Sequence, residues 1–271
     1  MASNTASPAV KRALLKQLVV TDFKLRYQGS ALGYVWSLFK PMMMFGVLYV
    51  VFTYIIPTGK DIPHFPAYLL LGIVVWTFFT EATTMGLGSI VGRGDLIRKV
   101  NISKLSIVVS AILSAGVNLA LNSLILFIFM IASGAEVNWA MVIFLPLLFI
   151  ELILLALGLA LVLSALYVKF RDFAPIWEIV LQVMFYATPI IYPLQLAFSA
   201  DPRIAQLLAL NPLAQIMQDF REILITPVTL TAHEVLPGLV GIIIPILIVS
   251  TLFIGGYFYF KHRAKYFVED L

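Results

Sequence analysis

The chain has 271 residues, of which 61% are hydrophobic and 12% charged, with a net charge of +4 and no cysteine. A soluble domain carries about twice that charged fraction, so the surplus apolar surface requires lipid to cover it. The missing thiols exclude disulfides, zinc–thiolate centres and thiol catalysis, and no polar segment carries the basic, aromatic-interleaved patch of a nucleic-acid binder.

Met1–Pro8 is polar and lacks the apolar core of a signal peptide, which predicts a retained cytoplasmic end. Val10, Leu14, Leu18 and Leu25 then fall on one helical stripe, with Arg12 and Lys16 opposite. Residues 1–35 therefore read as a cytoplasmic segment with an amphipathic helix in the headgroup region, or as a plain basic anchor. Six apolar runs approach the roughly 20 residues needed to cross a bilayer: Trp36–Ile56, Tyr68–Val91, Leu105–Ala132, Ala140–Val168, Ile176–Tyr192 and Leu236–Phe260. The fifth is short and ends near Pro189 and Pro193. Residues 36–260 make one all-α transmembrane domain, and 261–271 a tail.

Orientation follows from the basic residues. Fifteen of the 18 lie on the side shared by the two termini: Lys11, Arg12, Lys16, Lys24, Arg26, Lys40, Arg93, Arg98, Lys99, Lys104, Lys169, Arg171, Lys261, Arg263 and Lys265. Only Lys60, Arg203 and Arg221 lie on the other. Basic residues collect in cytoplasmic loops, so both termini are expected in the cytoplasm.

The second span holds Glu81 and the fourth Glu151. A carboxylate at mid-membrane costs about 2.5–3.5 kcal/mol on insertion scales, so each faces a polar interior or a partner. Ser106, Ser110, Ser114, Asn118 and Asn122 recur every fourth residue on the third span. That polar stripe must face protein or water, as helix packing or as the wall of a passage. Aromatics crowd the first and fifth spans, including Trp36, Phe39, Tyr49, Phe52, Phe185, Tyr186 and Tyr192. Interfacial belts and core account for most such residues, while an aromatic-lined path would suit sugar rings. Between spans five and six, Asp201-Pro202 and Asn211-Pro212 each place an N-cap before a proline at the first helical position. Two short amphipathic helices over about 202–226 are expected there, as an external gate or a packed external loop, with Pro227 stopping the second.

Absent motifs narrow the chemistry. There is no phosphate-binding Gly-rich loop with its Lys-Ser/Thr ending, so no ATP site of that kind. There is no Gly-x-Ser-x-Gly, and His64, His233 and His262 make no metal-ligand spacing. The short cytoplasmic loops are more telling. Asp95, Leu96, Ile97, Arg98, Lys99 and Val100, and then Lys169, Phe170, Arg171 and Asp172, mix charge with apolar residues that a solvated loop has no use for. Short helices docking into a partner's groove would use both, with the charges setting register. A snorkelling juxtamembrane turn reads equally well.

Here the pattern resembles a known family. Asp22-Phe23-Lys24-Leu25-Arg26-Tyr27, then Leu32-Gly33-Tyr34-Val35-Trp36 and Lys40-Pro41, is similar to the opening of ABC-2 type permeases that export O-antigen, teichoic acid and related cell-wall polysaccharides. Leu96-Ile97-Arg98-Lys99-Val100, Arg171-Asp172, Thr188-Pro189-Ile190-Ile191-Tyr192-Pro193 and Asn211-Pro212-Leu213 with Phe220-Arg221 continue the likeness in order. One departure is Val100-Asn101-Ile102-Ser103, where relatives often carry an aromatic and a proline.

The resemblance implies the ABC-2, type V exporter fold: a homodimer of six-span subunits with two copies of a separate ATPase subunit that binds ATP and magnesium. This chain itself would hold no cofactor or metal and catalyse no reaction. The resemblance places Asp95, Leu96, Arg98 and Lys99 in a first coupling helix and Arg171 and Asp172 in a second. It assigns Asn211, Pro212, Phe220 and Arg221 to external gate helices. The cargo it implies is a polyprenyl-pyrophosphate-linked glycan, met at the cytoplasmic interface by Lys24, Arg26 and Tyr27, with Trp36, Phe39, Tyr49, Phe52, Glu81, Phe185, Tyr186 and Tyr192 as candidate channel lining. A permease for a drug or simple lipid is the nearer rival. A membrane glycosyltransferase would need clustered carboxylates on an aqueous face, which the sequence lacks, and a proton-coupled carrier would rest on Glu81 and Glu151.

Overall fold

The computed structural model describes residues 8–27, 33–56, 59, 62–99 and 102–271, with side chains except at 8–11, 22–27 and 34. All regular structure among them is helical: α1 (Pro8–Tyr27), α2 (Trp36–Val50), α3 (Phe65–Ser89), α4 (Gly94–Lys99), α5 (Lys104–Ser133), α6 (Leu145–Lys169), α7 (Phe173–Ala187), α8 (Leu194–Ala200), α9 (Pro202–Ala209), α10 (Pro212–Leu224), α11 (Ala232–Val235), α12 (Val240–Arg263) and α13 (Phe267–Asp270). A π turn, Val51–Ile55, prolongs α2, and a 3₁₀ turn, Val142–Phe144, leads into α6.

Among the described residues five helices are long and apolar enough to cross a membrane: Trp36–Ile55, Phe65–Ser89, Lys104–Ser133, Val142–Lys169 and Val240–Arg263. The apolar run expected at Ile176–Tyr192 forms a helix of 15 residues, Phe173–Ala187. At 1.5 Å per residue it reaches about 22 Å, short of the roughly 30 Å hydrocarbon core. It stops because Thr188 precedes Pro189 and takes the extended conformation (φ −111°, ψ 136°) that proline imposes on its predecessor. The last run, expected from Leu236, begins as a helix only at Val240, because Pro237 and Gly238 (φ 58°) separate it from α11.

Over Ala67–Trp76 α3 is apolar on every side, and such a helix belongs in a core. It is the bundle's axis, packed against α2, α5, α6, α7 and α10. α12 lies along α6 at glycine distance: a Cβ on Gly256 would meet the Gly158 carbonyl at 2.6 Å, and one on Gly158 the Leu252–Phe253 backbone at 2.8 Å. Small residues admit that backbone approach without water to drive it. α1 packs on α5 with Leu18 buried and Arg12 and Lys16 exposed, as its stripe requires.

The helices leave two differently dressed ends. At one lie α4, the turn 170–172 and α13. At the other lie α8 to α11, with Glu136 and Asn138 donating backbone hydrogen bonds to Ile225 and Ile223 at 2.8 Å. There His64 Nδ1 also meets the Ser133 carbonyl at 2.7 Å.

Candidate functional site

At the α4 end, Asp95 stands in the first turn of α4 and Arg98 and Lys99 in the last, the order that suits a helix dipole. Ile97 is buried inside the chain and Leu96 half-buried, while Asp95, Arg98 and Lys99 are exposed. The fold closes the sequence gap between the two charged loops: Asp95, Arg98 and Arg171 line one groove of about 240 Å³, with Gly92, Gly94 and Leu271. Asp172 is exposed at the N-cap of α7 without a capping bond. The Arg171 guanidinium lies 5.2 Å over the Tyr167 ring, and Phe170 remains 48% exposed. The tail braces this end. Phe267 is fully buried, 5.4 Å from Phe260, Lys104 donates to the Ala264 carbonyl, and Arg263 pairs with Asp270 at 3.2 Å. Burial also lowers the Arg93 pKa from its ordinary value, while its guanidinium donates to Ser110 Oγ at 3.0 Å.

Midway along the bundle the polar stripe of α5 is buried: Ser110, Ser114, Asn118 and Asn122 are all 2% exposed or less. Asn118 Nδ2 donates to Glu81 Oε2 at 2.9 Å, and Asn122 Nδ2 donates to the Asn118 carbonyl at 2.8 Å. From Ser110 to Asn122 the stripe faces neighbouring helices, reaching Glu81 of α3 and, from Asn122 Nδ2 at 3.4 Å, the Ser37 carbonyl of α2, while Ser106 is half-buried. The predicted aromatics do not share one setting. Trp36 and Phe39, in edge contact at 5.5 Å, and Tyr186 are exposed. Tyr49 stacks between Phe45 and Phe65, and Phe52 packs on the core. Phe185 meets Trp76 at 5.6 Å and Tyr186 at 5.3 Å, and the Tyr192 hydroxyl donates to the Tyr186 carbonyl at 3.0 Å. Lys24, Arg26 and Tyr27 fall in the last turns of α1, where their side chains lie outside the described residues.

Sequence reading passed over Glu178 and Gln182. They project from α7 exposed, one helical turn apart, into a groove of about 410 Å³ with Trp76, Thr80, Phe185 and Tyr186. Their i, i+4 spacing inside an apolar run was the available signal.

The opposite end is built by the two expected N-caps. Asp201 Oδ1 accepts from Arg203 N at 2.8 Å, and Asn211 Oδ1 accepts from Leu213 N at 3.0 Å, each with proline at the first helical position. Asn211 Nδ2 also donates to Thr188 Oγ1 at 3.0 Å, which ties α10 to the break after α7. α10 ends at Leu224, before Pro227. Its face is buried, with Phe220 against Phe149 at 4.9 Å. Arg221 is fully buried among acceptors: the Tyr68, Pro189 and Ile190 carbonyls at 3.3, 2.6 and 2.7 Å and Gln218 Oε1 at 2.7 Å. Burial draws its pKa below the ordinary value, and a guanidinium keeps its proton regardless.

Fold and site together define a multi-pass helical membrane protein with a charged groove at one end and a helical hairpin closing the other. The chain belongs to the ABC-2 type transporter family, whose profile matches residues 13–225. It is 31% identical over 212 residues to the O-antigen export system permease protein RfbA of Myxococcus xanthus, covering 78% of this chain and 80% of that protein. It is 25% identical over 210 residues to the RfbA protein of Klebsiella pneumoniae, covering 78% and 79%. With the polysialic acid transport protein KpsM of Escherichia coli it shares 23% identity over 214 residues, covering 79% and 81%.

Proposed function

We propose that this chain is the membrane subunit of an ATP-driven exporter of lipid-linked polysaccharide, working as a homodimer with two copies of a separate ATPase subunit. In this reading both termini are cytoplasmic, and α7 with residues 188–192 makes the fifth of six crossings. The α4 groove is where the ATPase grips, α9 and α10 gate the outer exit, and Lys24, Arg26 and Tyr27 meet the lipid pyrophosphate. The named relatives, an O-antigen export system permease protein and a polysialic acid transport protein, support the cargo class.

The observation that carries the coupling role is the shared groove of Asp95, Arg98 and Arg171. A partner that moves there displaces both loops at once, and nucleotide can shift the bundle only through contacts that differ between its states. The exposed charges set register and orientation. The test is charge reversal at Arg98 and Arg171, with surface polysaccharide and ATPase co-purification measured in parallel. Arg98→Glu and Arg171→Glu should insert normally, lose the ATPase subunit and abolish export. Normal export by both variants rejects the coupling role. Coupling that fails with the variants while lipid-linked glycan does not stimulate wild-type ATP hydrolysis rejects the cargo alone.

A further inference from the structure

At the hairpin end three side chains come together that no sequence spacing connects. Asp219 and Glu222 stand one turn apart on α10 and His233 on α11, and one ligand atom from each lies within 4.8 Å of the others. The three histidines form no metal pattern along the chain; the turn from α10 into α11 closes the distance instead.

A second set of observations says what this cluster lacks. Asp219 Oδ2 accepts from the Gln215 amide, but Asp219 Oδ1 is buried with no partner. Gln215, only 7% exposed and joined to the cluster through that bond, leaves its own Oε1 buried and unpartnered. Glu151, 9% exposed on α6, faces Gln215 and Asp219 with its Oε1 equally unpartnered. Buried polar atoms are nearly always satisfied, so the unmet Asp219 Oδ1 calls for a cation or donor, and the two further unmet acceptors lie beside it only as neighbours of the site. Arg221, on the same helix, does not supply it: its guanidinium is turned to Tyr68, Pro189, Ile190 and Gln218. Burial pushes the Asp219 carboxyl up to about 6, against the lowering pull of Gln215 and His233. Glu222 is raised as well, by burial first.

We propose that Asp219, Glu222 and His233 form a binding site for a divalent metal ion of the zinc class. One imidazole and two carboxylates are a donor set that zinc accepts with a position left for water. An imidazole argues against calcium and magnesium, which take oxygen. Gln215 holds the Asp219 carboxylate in place as an outer-shell partner, and the exposed His233 leaves a way in. The ion pins α11 to α10 and so fixes the segment that closes the hairpin. The site stands independently of the cargo.

The untagged full-length chain, purified in detergent and stripped with a chelator, is loaded with Zn²⁺ alone, with Ca²⁺ alone, or with both at equal concentration. Gel filtration follows, and bound metal is counted by mass spectrometry. The wild type should retain one zinc per chain and keep it against calcium. Glu222→Gln and His233→Gln, both accessible positions, should elute unchanged and lose zinc affinity at least about tenfold. Glu136→Gln, an exposed carboxylate at the same end, should bind as the wild type does. A wild type that retains no zinc, equal retention by Glu222→Gln and His233→Gln, or displacement of zinc by calcium overturns the proposal.

Discussion

Arg221 is a buried cation held by carbonyls and an amide oxygen, with the Tyr68 ring 3.6 Å from its guanidinium carbon. Its hydrogen bonds reach three segments: the first turn of α3, the break after α7, and α10 itself. Gly72 makes room for it, since a Cβ there would meet Nη2 at 2.6 Å and the Ile190 carbonyl at 2.9 Å. Removing the side chain orphans buried carbonyls and leaves a cavity, so Arg221→Met should destabilise the chain by about 3–5 kcal/mol. Arg221→Lys should fall between, because a compact ammonium cannot reach acceptors arrayed for a planar fork. Gly72→Ala should cost about 1–3 kcal/mol as overpacking. Its effect should shrink in the Arg221→Met background, because the two positions share one contact. Thermal unfolding in detergent measures all four variants. A Gly72→Ala protein that melts like the wild type contradicts the cage.

At the scale of the element, α7 is the helix whose surface does not match its surroundings. Its outer side exposes Ile176, Ile179 and Val183, but also Glu178 and Gln182. The outer side of α5 exposes only apolar residues, Leu124, Phe127, Ile128 and Ile131 among them. A face like that of α5 suits lipid, whereas Glu178 in lipid would cost about 2.5–3.5 kcal/mol by insertion scales. The polar face of α7 therefore turns toward water or another protein surface. Glu178→Leu with Gln182→Leu should leave thermal stability unchanged or raised by about 1–3 kcal/mol while lowering polysaccharide export, the trade that a functional polar site makes. Equal export by this variant and the wild type would remove the stripe from the path. The same comparison shows what the sequence made legible. Asp201-Pro202 and Asn211-Pro212 announced α9 and α10 because capping is local chemistry. The stripe on α5 was visible because its spacing is strictly four. Glu178 was passed over because its neighbours made an apolar run, and the cage of Arg221 because carbonyl acceptors have no letter in a sequence. Asp219 and His233 meet only across a turn whose path the spacing does not encode.

For the whole molecule, the question is what covers the rim of the bundle on the α2 and α7 side. α3 is enclosed by its neighbours, while α2 buries only Ser37, Pro41 and Phe45, and α7 only Trp177. Lys40 stands one turn into α2, at the end expected on the cytoplasmic side, where its ammonium reaches the headgroups, so the polar part of this rim is Glu178 and Gln182 beside the apolar Met43 and Val47. A lipid boundary tolerates the apolar part alone. A second copy, placed so that the two rims face across a polar interior, satisfies both parts, and closed twofold pairing is the commonest arrangement for identical subunits. The absence of cysteine in the natural sequence permits a clean test, because any thiol introduced is the only one present. Val183→Cys, on the exposed side of α7, should join two chains in native membranes when treated with a short bis-maleimide. Leu124→Cys, equally exposed but on the purely apolar side of α5, should remain a monomer on the gel. Cross-linking at Leu124 in preference to Val183 would place the contact between copies on α5, and would leave Glu178 and Gln182 facing lipid with nothing to hold them there.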